Sequence, residues 1–254
     1  MAIIALKAWY LEQYEPAREL EKRPQDLRLS RNSLLKAGLR ADFLDDSEEV
    51  RQSAWFQRYL TGEGVEFYIE GSGTYAISNI DLLSHEIYFT KQDSVVQLEP
   101  FIFFSYQTDY SESSDLLREG LQKLLEKVNR RSRLPLTLEE SNRSGQGALR
   151  RNSSLMRKLR QSLIFIADGT SVAQLPGTPP SLLASASVCV ELGYALQCKR
   201  PEQIILARQD RQDLPGHFPF EVPSQQQLVF NTATDLSAQL KTLVEAQLKR
   251  YGLV

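Results

Sequence analysis

The sequence predicts an α/β protein whose main domain is a five-stranded parallel sheet with helices on both faces, preceded by a small α+β module. Two observations support this fold class. Short apolar runs alternate with amphipathic stretches over residues 98–254, a pattern typical of strands that alternate with helices in a parallel sheet. Over residues 1–97, strand-like segments follow one another without helices between them. We therefore place the domain boundary between residues 97 and 98.

The strands of the second domain are predicted from runs of aromatic and β-branched residues, and its helices from apolar residues that recur every three or four positions. The predicted strands cover 101–104, 134–138, 163–167, 203–207 and 227–230. The predicted helices cover 115–129, a short segment with Leu155, Met156 and Leu159 facing inward, 188–198 and 235–250. This order of elements predicts a sheet of the flavodoxin-like type.

A segment rich in Gly, Pro and Ser, residues 169–187, separates the third predicted strand from the next helix. Its frequent Gly and Pro residues are expected to interrupt any regular helix or strand. Loops of this length are uncommon in compact domains unless they cover or bind something. We therefore expect the segment to act as a lid or as an assembly surface.

The N-terminal module, residues 1–97, is predicted to be a small α+β element to which the sequence assigns no role. Strands are expected at 3–10, 65–69, 75–78 and 87–90, with Gly71-Ser72-Gly73 as a hairpin turn. A helix is expected at 47–60, and the basic polar segment 22–36 is expected to be a solvated loop.

Composition excludes several classes of function. Thirty Lys and Arg residues against 32 Asp and Glu leave a net charge of −2, so we expect no nucleic-acid partner. Two cysteines and two histidines supply almost no ligands for a metal site. We therefore expect no metal and a reducing, cytoplasmic location. No secretory leader and no membrane span are predicted, because no apolar run reaches about 18 residues.

The residues that follow the predicted strands are candidates for a site, because ligands bind outside the carboxyl ends of parallel strands. Ser105, Tyr106, Gln107 and Asp109 follow the first strand, Asp168 and Thr170 follow the third, and Arg208 and Asp210 follow the fourth. None of these strands is followed by a Gly-rich phosphate-binding motif. A standard dehydrogenase or NTPase is therefore disfavoured.

The helix at 188–198 carries one acidic residue, Glu191, near its start in an otherwise apolar stretch. The helix dipole would favour the ionised carboxylate there. Gly193 is unfavourable inside a helix, which suggests that a ligand or a neighbouring backbone approaches closely. The alternative is that Glu191 satisfies the helix N-terminus and that Gly193 packs on the sheet; these residues leave both interpretations open.

Three segments carry a resemblance that extends over the whole of residues 98–254: Phe103-Phe104-Ser105-Tyr106, Ile166-Ala167-Asp168-Gly169-Thr170 and Val190-Glu191-Leu192-Gly193-Tyr194-Ala195. With them, residues 98–254 resemble the superfamily that joins nucleoside 2-deoxyribosyltransferases to Toll/interleukin-receptor (TIR) and TIR-like domains. The resemblance implies that Glu191 acts as nucleophile in a transferase, or supports nicotinamide loss in an NAD hydrolase. The TIR signature is partial, since Cys189 stands two positions before Glu191 rather than three.

Cleavage of NAD needs only a carboxylate, because the nicotinamide leaves as a neutral molecule and the developing oxocarbenium is stabilised by a negative charge. Cleavage of a neutral nucleoside also needs a proton donor, for which Asp168 or Asp109 is the candidate. The remaining residues expected to contact substrate are Ser105, Tyr106, Gln107, Arg157, Thr170, Ser187 and Tyr194.

Two functions follow from this reading. The first is a nucleotide-binding TIR-like N-glycosidase, a hydrolase that converts NAD to nicotinamide and ADP-ribose through Glu191, with NAD as substrate and no cofactor. The alternative is a non-catalytic module that senses a nucleotide or drives homotypic assembly. The resemblance implies self-association into a homo-oligomer in either case. The two functions differ in one structural respect: an active Glu191 must face an open pocket, whereas an assembly module can have it capped and closed.

Overall fold

The computed structural model describes residues 5–30, 39–92, 97–142, 153–218 and 226–254. The chain divides into two compact units, residues 1–98 and residues 99–254. Each unit has its own sheet and its own hydrophobic core, and each is described separately below.

The first unit is a closed barrel of six antiparallel strands in the order β1-β2-β3-β6-β5-β4. Pairing of β1 with β4 and of β3 with β6 joins two three-stranded meanders and closes the barrel. Its strands are β1 (Ala5–Tyr10), β2 (Leu27–Ser30), β3 (Arg40–Leu44), β4 (Glu66–Ile69), β5 (Gly73–Asp81) and β6 (Glu86–Lys91). Its helices are α1 (Ala17–Leu20), α2 (Ser47–Gln52) and α3 (Ala54–Leu60).

Alternating apolar residues on the strands fill the barrel interior with aromatic and aliphatic side chains. Phe67 and Phe89 are fully buried, and Trp55 of α3 packs against Phe67 with 4.9 Å between the ring centroids. Ser53 ends α2 and caps α3, since its hydroxyl accepts a hydrogen bond from the Phe56 amide. The single helix predicted at 47–60 is therefore wrong, because a capping residue divides it.

The predicted fold class is wrong. The chain contains a closed six-stranded antiparallel barrel beside a separate parallel sheet, and not a flavodoxin-like α/β fold preceded by a small α+β module. The error arose in the basic segment at 22–36, which was predicted as a loop but contains β2, and at β3, which was not predicted. These short strands are recognisable only through their pairing with distant strands. Residues 31–36 of the segment lie outside the described residues.

The second unit contains a parallel sheet in the order β13-β12-β9-β7-β8. Its strands are β7 (Glu99–Ser105), β8 (Thr137–Glu140), β9 (Ser162–Asp168), β12 (Ile204–Gln209) and β13 (Gln227–Phe230). Its helices are α4 (Ser111–Asn129), α5 (Ser153–Gln161), α6 (Ala186–Cys198) and α7 (Ala233–Arg250), with a 3-10 turn at Pro201–Gln203. A separate hairpin is formed by β10 (Ser171–Leu175) and β11 (Ser181–Ala184).

One face of the parallel sheet is covered by α5 and α6. Phe103, Phe165 and Leu206 pack there with Leu159 of α5 and with Val188 and Leu192 of α6. Because side chains alternate across a strand, the neighbouring residues Ile102, Ile164 and Ile205 point to the opposite face. Leu236 and Leu240 of α7 lie next to Gly120 of α4.

Two further predictions for this unit are wrong. The segment 169–187 was expected to lack regular structure, but its two ends pair as the β10–β11 hairpin around the Pro-rich residues 176–180. The helix predicted at 115–129 begins four residues earlier, because α4 starts at Ser111 and Ser113 and Ser114 lie inside it. Among the described residues, no helix is long and apolar enough to cross a membrane.

Candidate functional site

The carboxyl ends of three neighbouring strands place polar side chains along one edge of the parallel sheet. In the register of the sheet, Ser105 of β7 lies beside Ala167 of β9, and Asp168 of β9 lies beside Ala207 of β12. Ser105 and Asp168 are both fully buried. The polar residues after these strands therefore lie where open parallel sheets bind their ligands.

Glu191 lies on the inward face of α6 and has no solvent-exposed surface. It shares this face with Val188, Leu192 and Ala195, because residues three and four positions apart lie on the same side of a helix. The hydroxyl of Ser105 donates a hydrogen bond to Glu191 Oε2. The structure thus brings two predicted site residues into contact, in a position closed to solvent.

Two expectations about α6 are wrong. The helix begins at Ala186, so Glu191 lies in its second turn, beyond the first turn in which the helix dipole acts most strongly. Gly193 was expected to accommodate a close neighbour or to pack on the sheet. It is exposed instead, and a Cβ atom added there would meet no heavy atom within 4 Å.

Asp168 is held by three hydrogen-bond donors. Its Oδ2 accepts from the hydroxyls of Ser113 and Ser114, each at 2.6 Å, and its Oδ1 accepts from the backbone N–H of Thr170 at 3.0 Å. The carboxylate therefore fastens the first turn of α4 to the end of β9. Both oxygens of this fully buried carboxylate are thus occupied by donors from the chain itself.

Gln107 and Thr170 extend this network across the sheet edge. Gln107 Nε2 donates to the carbonyl oxygen of Thr170 at 3.0 Å, and Thr170 Oγ1 accepts from the backbone N–H of Gln209 at 2.8 Å. Gln107 Oε1 is buried without a hydrogen-bond partner. Buried amide oxygens are usually satisfied, so this atom marks a place where a donor from outside the described structure can bind.

The other predicted residues have varied surroundings. Tyr106 is half-buried and is covered by the guanidinium of Arg118, 5.1 Å from its ring centroid. Ser187 is buried, with its hydroxyl 3.0 Å from that of Ser185. Tyr194 packs against the hydrophobic core, and Asp109 and Arg157 are exposed.

The candidate residues thus form two buried contacts. One joins Ser105 to Glu191, and the other joins Gln107 and Thr170 to the network around Asp168. Arg157 lies on the exposed side of α5 and makes no contact with either group in the described structure. Over the ranges that the structure describes, no group of His, Cys, Asp and Glu side chains could hold a metal ion.

A cavity of about 230 Å³ lies at the carboxyl end of β12. Its walls come from residues 208–212 and 214–216, together with Ser171 and Leu182 of the β10–β11 hairpin. Arg208 and Arg211 both line it. The sequence placed Arg208 and Asp210 after the fourth strand, but the hairpin that completes the cavity was not predicted, so this site was missed.

The two arginines at this cavity have different surroundings. Arg211 donates from Nε to Asp213 and from Nη1 to the carbonyl oxygen of Ser171, each at 3.0 Å, and its guanidinium lies 4.3 Å from the ring centroid of Tyr110. Arg208 lies over the ring of Phe218 at 5.6 Å, and its buried Nε has no hydrogen-bond partner. Arg211 is thus fixed by its neighbours, whereas Arg208 retains donors for another group.

No protein-family model matches the chain, and no curated protein matches it. One solved structure is similar, "Crystal structure of putative lipoprotein from Peptoclostridium difficile 630 (fragment)", with 11% sequence identity and a TM-score of 0.31. The similarity covers 59% of this chain and 99% of that chain. A likeness this low carries no argument about fold or function.

The description of residues 98–254 as a TIR-like, flavodoxin-like hydrolase is not supported. The chain contains a closed barrel in addition to its parallel sheet, and no family model and no curated protein matches it. The candidate site must therefore be judged from the geometry of its own residues.

Proposed function

We propose that the second unit is a non-catalytic module that senses a nucleotide, in which Glu191 fastens α6 to the sheet instead of reacting with a sugar. The observation that carries this proposal is the closure of Glu191. Its carboxylate has no exposed surface and accepts a hydrogen bond from the equally buried Ser105. A carboxylate that stabilises an oxocarbenium ion must approach the sugar directly.

The choice of a nucleotide as ligand rests on two considerations. The sequence segments around Ser105, Asp168 and Glu191 resemble those of nucleotide- and nucleoside-binding domains. The same segments meet at the carboxyl edge of the sheet, the edge where open parallel sheets bind their ligands. The buried, unpartnered oxygen of Gln107 at this edge supports a ligand that carries an N–H or O–H donor.

A second candidate is cleavage of the N-glycosidic bond of NAD. The contact between Glu191 and Ser105 favours it, since these are two residues that the sequence assigned to one site. Asp168 is fully buried and both of its oxygens accept hydrogen bonds from the chain, so neither oxygen faces a substrate as a general acid would have to. Within this candidate, NAD is therefore a better substrate than a neutral nucleoside, because its nicotinamide leaves without protonation.

The deciding experiment measures binding and base release together. The purified chain and its Glu191→Gln variant are incubated at high concentration with NAD and with a panel of nucleosides and nucleotides. Released base is measured by mass spectrometry, and binding by isothermal titration calorimetry. Running the same samples through light scattering tests the predicted self-association.

We expect saturable binding of a nucleotide without released base, equally for the native chain and the variant. Base released by the native chain and not by Glu191→Gln would overturn the proposal and establish the second candidate. If neither binding nor release is detected at high concentration, the second unit does not sense a nucleotide and the proposal is wrong.

A further inference from the structure

The cavity at the end of β12 contains a cationic group, the Arg208 guanidinium, for which the described residues supply no counter-ion. Within the described ranges it has no ion pair, and its nitrogens donate no hydrogen bond. The Phe218 ring covers part of the guanidinium, which lowers its exposure to water. A cation in these surroundings gains more from an oxyanion than a fully solvated one does.

Arg211 supplies a second guanidinium that is already held in place. Its bonds to Asp213 and to the Ser171 carbonyl, together with the Tyr110 ring, fix it at the cavity wall. The neighbouring Asp213 keeps the pKa of Arg211 above its ordinary value, and Arg211 in turn lowers the pKa of Asp213. Both groups are therefore charged over the whole physiological range of pH.

The two arginines and two carboxylates at the cavity carry no net formal charge, but they differ in exposure and pairing. Arg208 and Arg211 line the cavity, Asp213 pairs with Arg211, and Asp210 is an exposed lining residue that accepts a hydrogen bond from Gln212 Nε2 at 3.0 Å. Because Asp210 is solvated, its repulsion of an anion is weaker than the attraction of the partly enclosed Arg208.

Two adjacent residues of β12 have buried polar atoms without partners. These atoms are Arg208 Nε and Gln209 Oε1. Such atoms are rare in folded proteins, and the described residues supply no partner for either of them. Arg208 and Gln209 both line the cavity, which makes a bound group a candidate partner.

We propose that this cavity binds a phosphate-bearing anion, with Arg208 as the main ligand and Arg211 as a fixed second contact. Guanidinium groups bind phosphate oxygens through pairs of parallel N–H donors. The volume of about 230 Å³ lies below the roughly 300 Å³ at which pockets for complete drug-sized ligands begin. The cavity therefore receives the phosphate end of a larger molecule. This inference rests on the proposed function, for which it names the ionic group recognised.

The test is calorimetric titration of the full chain with inorganic pyrophosphate, AMP and adenosine. We expect pyrophosphate and AMP to bind, and adenosine to bind much more weakly because it lacks the phosphate. Arg208→Gln is expected to weaken binding of both anions by about tenfold to a hundredfold, the effect of losing a charge-assisted hydrogen bond. The matched control is Arg250→Gln, an exposed arginine at the C-terminal end of α7, which is expected to bind both anions normally.

The outcomes separate this inference from the proposed function. AMP binding that is equal in the native chain and in Arg208→Gln would overturn the inference and leave the proposed function standing. Arg208-dependent binding of pyrophosphate, without binding of any nucleotide, would support the anion site and overturn the proposed function. Failure of the native chain to bind either anion would overturn the inference.

A second variant covers the case in which Arg208→Gln does not fold, which a thermal melt would show. Arg208→Lys keeps the positive charge but loses the planar pair of donors. We expect it to bind pyrophosphate several-fold more weakly than the native chain. Equal affinity would show that the guanidinium is not the ligand.

Discussion

In the barrel unit the interior consists of stacked and edge-on aromatic rings, whereas the carboxyl edge of the parallel sheet consists of buried hydroxyls, amides and carboxylates. Phe67 lies between Trp55 and Phe89, with ring centroids 4.9 and 6.4 Å away. Asp168 lies between two serine hydroxyls at 2.6 Å. The first arrangement is stabilised by removal of apolar surface from water and the second by satisfied hydrogen bonds.

This difference indicates which of the two units can bind a ligand. A filled aromatic interior offers few polar groups to a ligand, the buried indole nitrogen of Trp55 among them, and it tolerates loss of volume poorly. A polar sheet edge already holds donors and acceptors in fixed positions, and atoms left unpartnered there can bind a further group. We therefore assign ligand binding to the second unit and a structural role to the interior of the barrel.

The largest loss in the free energy of unfolding is expected from shortening an aromatic side chain in the barrel interior. Phe67→Ala removes a fully buried ring that contacts three others, those of Tyr10, Trp55 and Phe89. We expect a loss of about 3–5 kcal/mol in the free energy of unfolding, measured by urea denaturation. Leu83→Ala, at a side chain that is 92% exposed, is the control and should change the free energy by less than about 0.5 kcal/mol. Similar losses for both would mean that the barrel interior is not packed as described.

A loss of stability almost as large is expected when the central hydrogen-bond acceptor of the polar sheet edge, the Asp168 carboxylate, is removed. Asp168→Ala leaves two buried hydroxyls and one backbone N–H without their acceptor. We expect a loss of about 3 kcal/mol in urea denaturation, since each unsatisfied buried group costs about 1 kcal/mol or more. Asp109→Ala, at an exposed carboxylate, should be nearly neutral. A loss below about 1 kcal/mol for Asp168→Ala would refute its role as an anchor of α4.

A smaller effect is expected at the contact between Ser105 and Glu191. Ser105→Ala removes a donor to the buried carboxylate, and we expect a loss of about 1–3 kcal/mol. Glu191→Gln retains the side-chain volume and an oxygen acceptor, so its cost should be less. In the double variant the losses should fall short of their sum by at least about 0.5 kcal/mol, because the two side chains share one bond. Strict additivity would show that the contact contributes nothing.

The smallest effect concerns Lys199, which is buried at the end of α6 and donates to the carbonyl oxygens of Arg160 and Ser162. Burial lowers the pKa of Lys199 to about 8 from an ordinary value of 10.5. Below about pH 8 both the folded and the unfolded chain carry the proton, so the cost of burying the charge is fully present. Between about pH 8 and 10.5 the folded chain releases the proton first, so this group makes the protein more stable as the pH rises.

The measurement is the difference in unfolding free energy between the native chain and Lys199→Met. We expect this difference to be constant from pH 6 to 7.5 and to shift by about 1–2 kcal/mol in favour of the native chain by pH 9.5. Burial also raises the pKa of Cys189 and Cys198, which acts in the opposite direction. Cys189 is the same in both proteins, but the charge of Lys199 lowers the pKa of Cys198, so both proteins are compared with Cys198→Ser in place. A difference that stays constant to pH 9.5 would contradict the lowered pKa.

Much of the local structure could be predicted because it depends on neighbouring residues. The apolar run 163–167 lies within β9, and the stripe of Leu117, Leu121 and Val128 faces inward on α4. The pairing of short strands could not be predicted in the same way. Leu27–Ser30 and Arg40–Leu44 have no strong pattern of their own, and they form strands because the barrel supplies partners for both of their edges.

The candidate site shows the same division. The sequence assigned Glu191 and Ser105 to one site, and their side chains do form a hydrogen bond. The burial of this pair could not be predicted, because the two residues are 86 positions apart in the chain. The cavity at Arg208 was missed because its wall includes Leu182 of a hairpin predicted as a loop.

The sequence by itself determined which segments are apolar enough to be buried and which polar residues follow them, because both depend on composition and short-range periodicity. The tertiary structure alone decided that β1 pairs with β4 to close the barrel, that the carboxylate of Glu191 is buried on the inward face of α6, and that Arg208 meets the ring of Phe218 but no carboxylate among the described residues. The physical reason is that burial, ion pairing and strand closure depend on contacts between residues far apart in the chain, whose geometry no local pattern specifies.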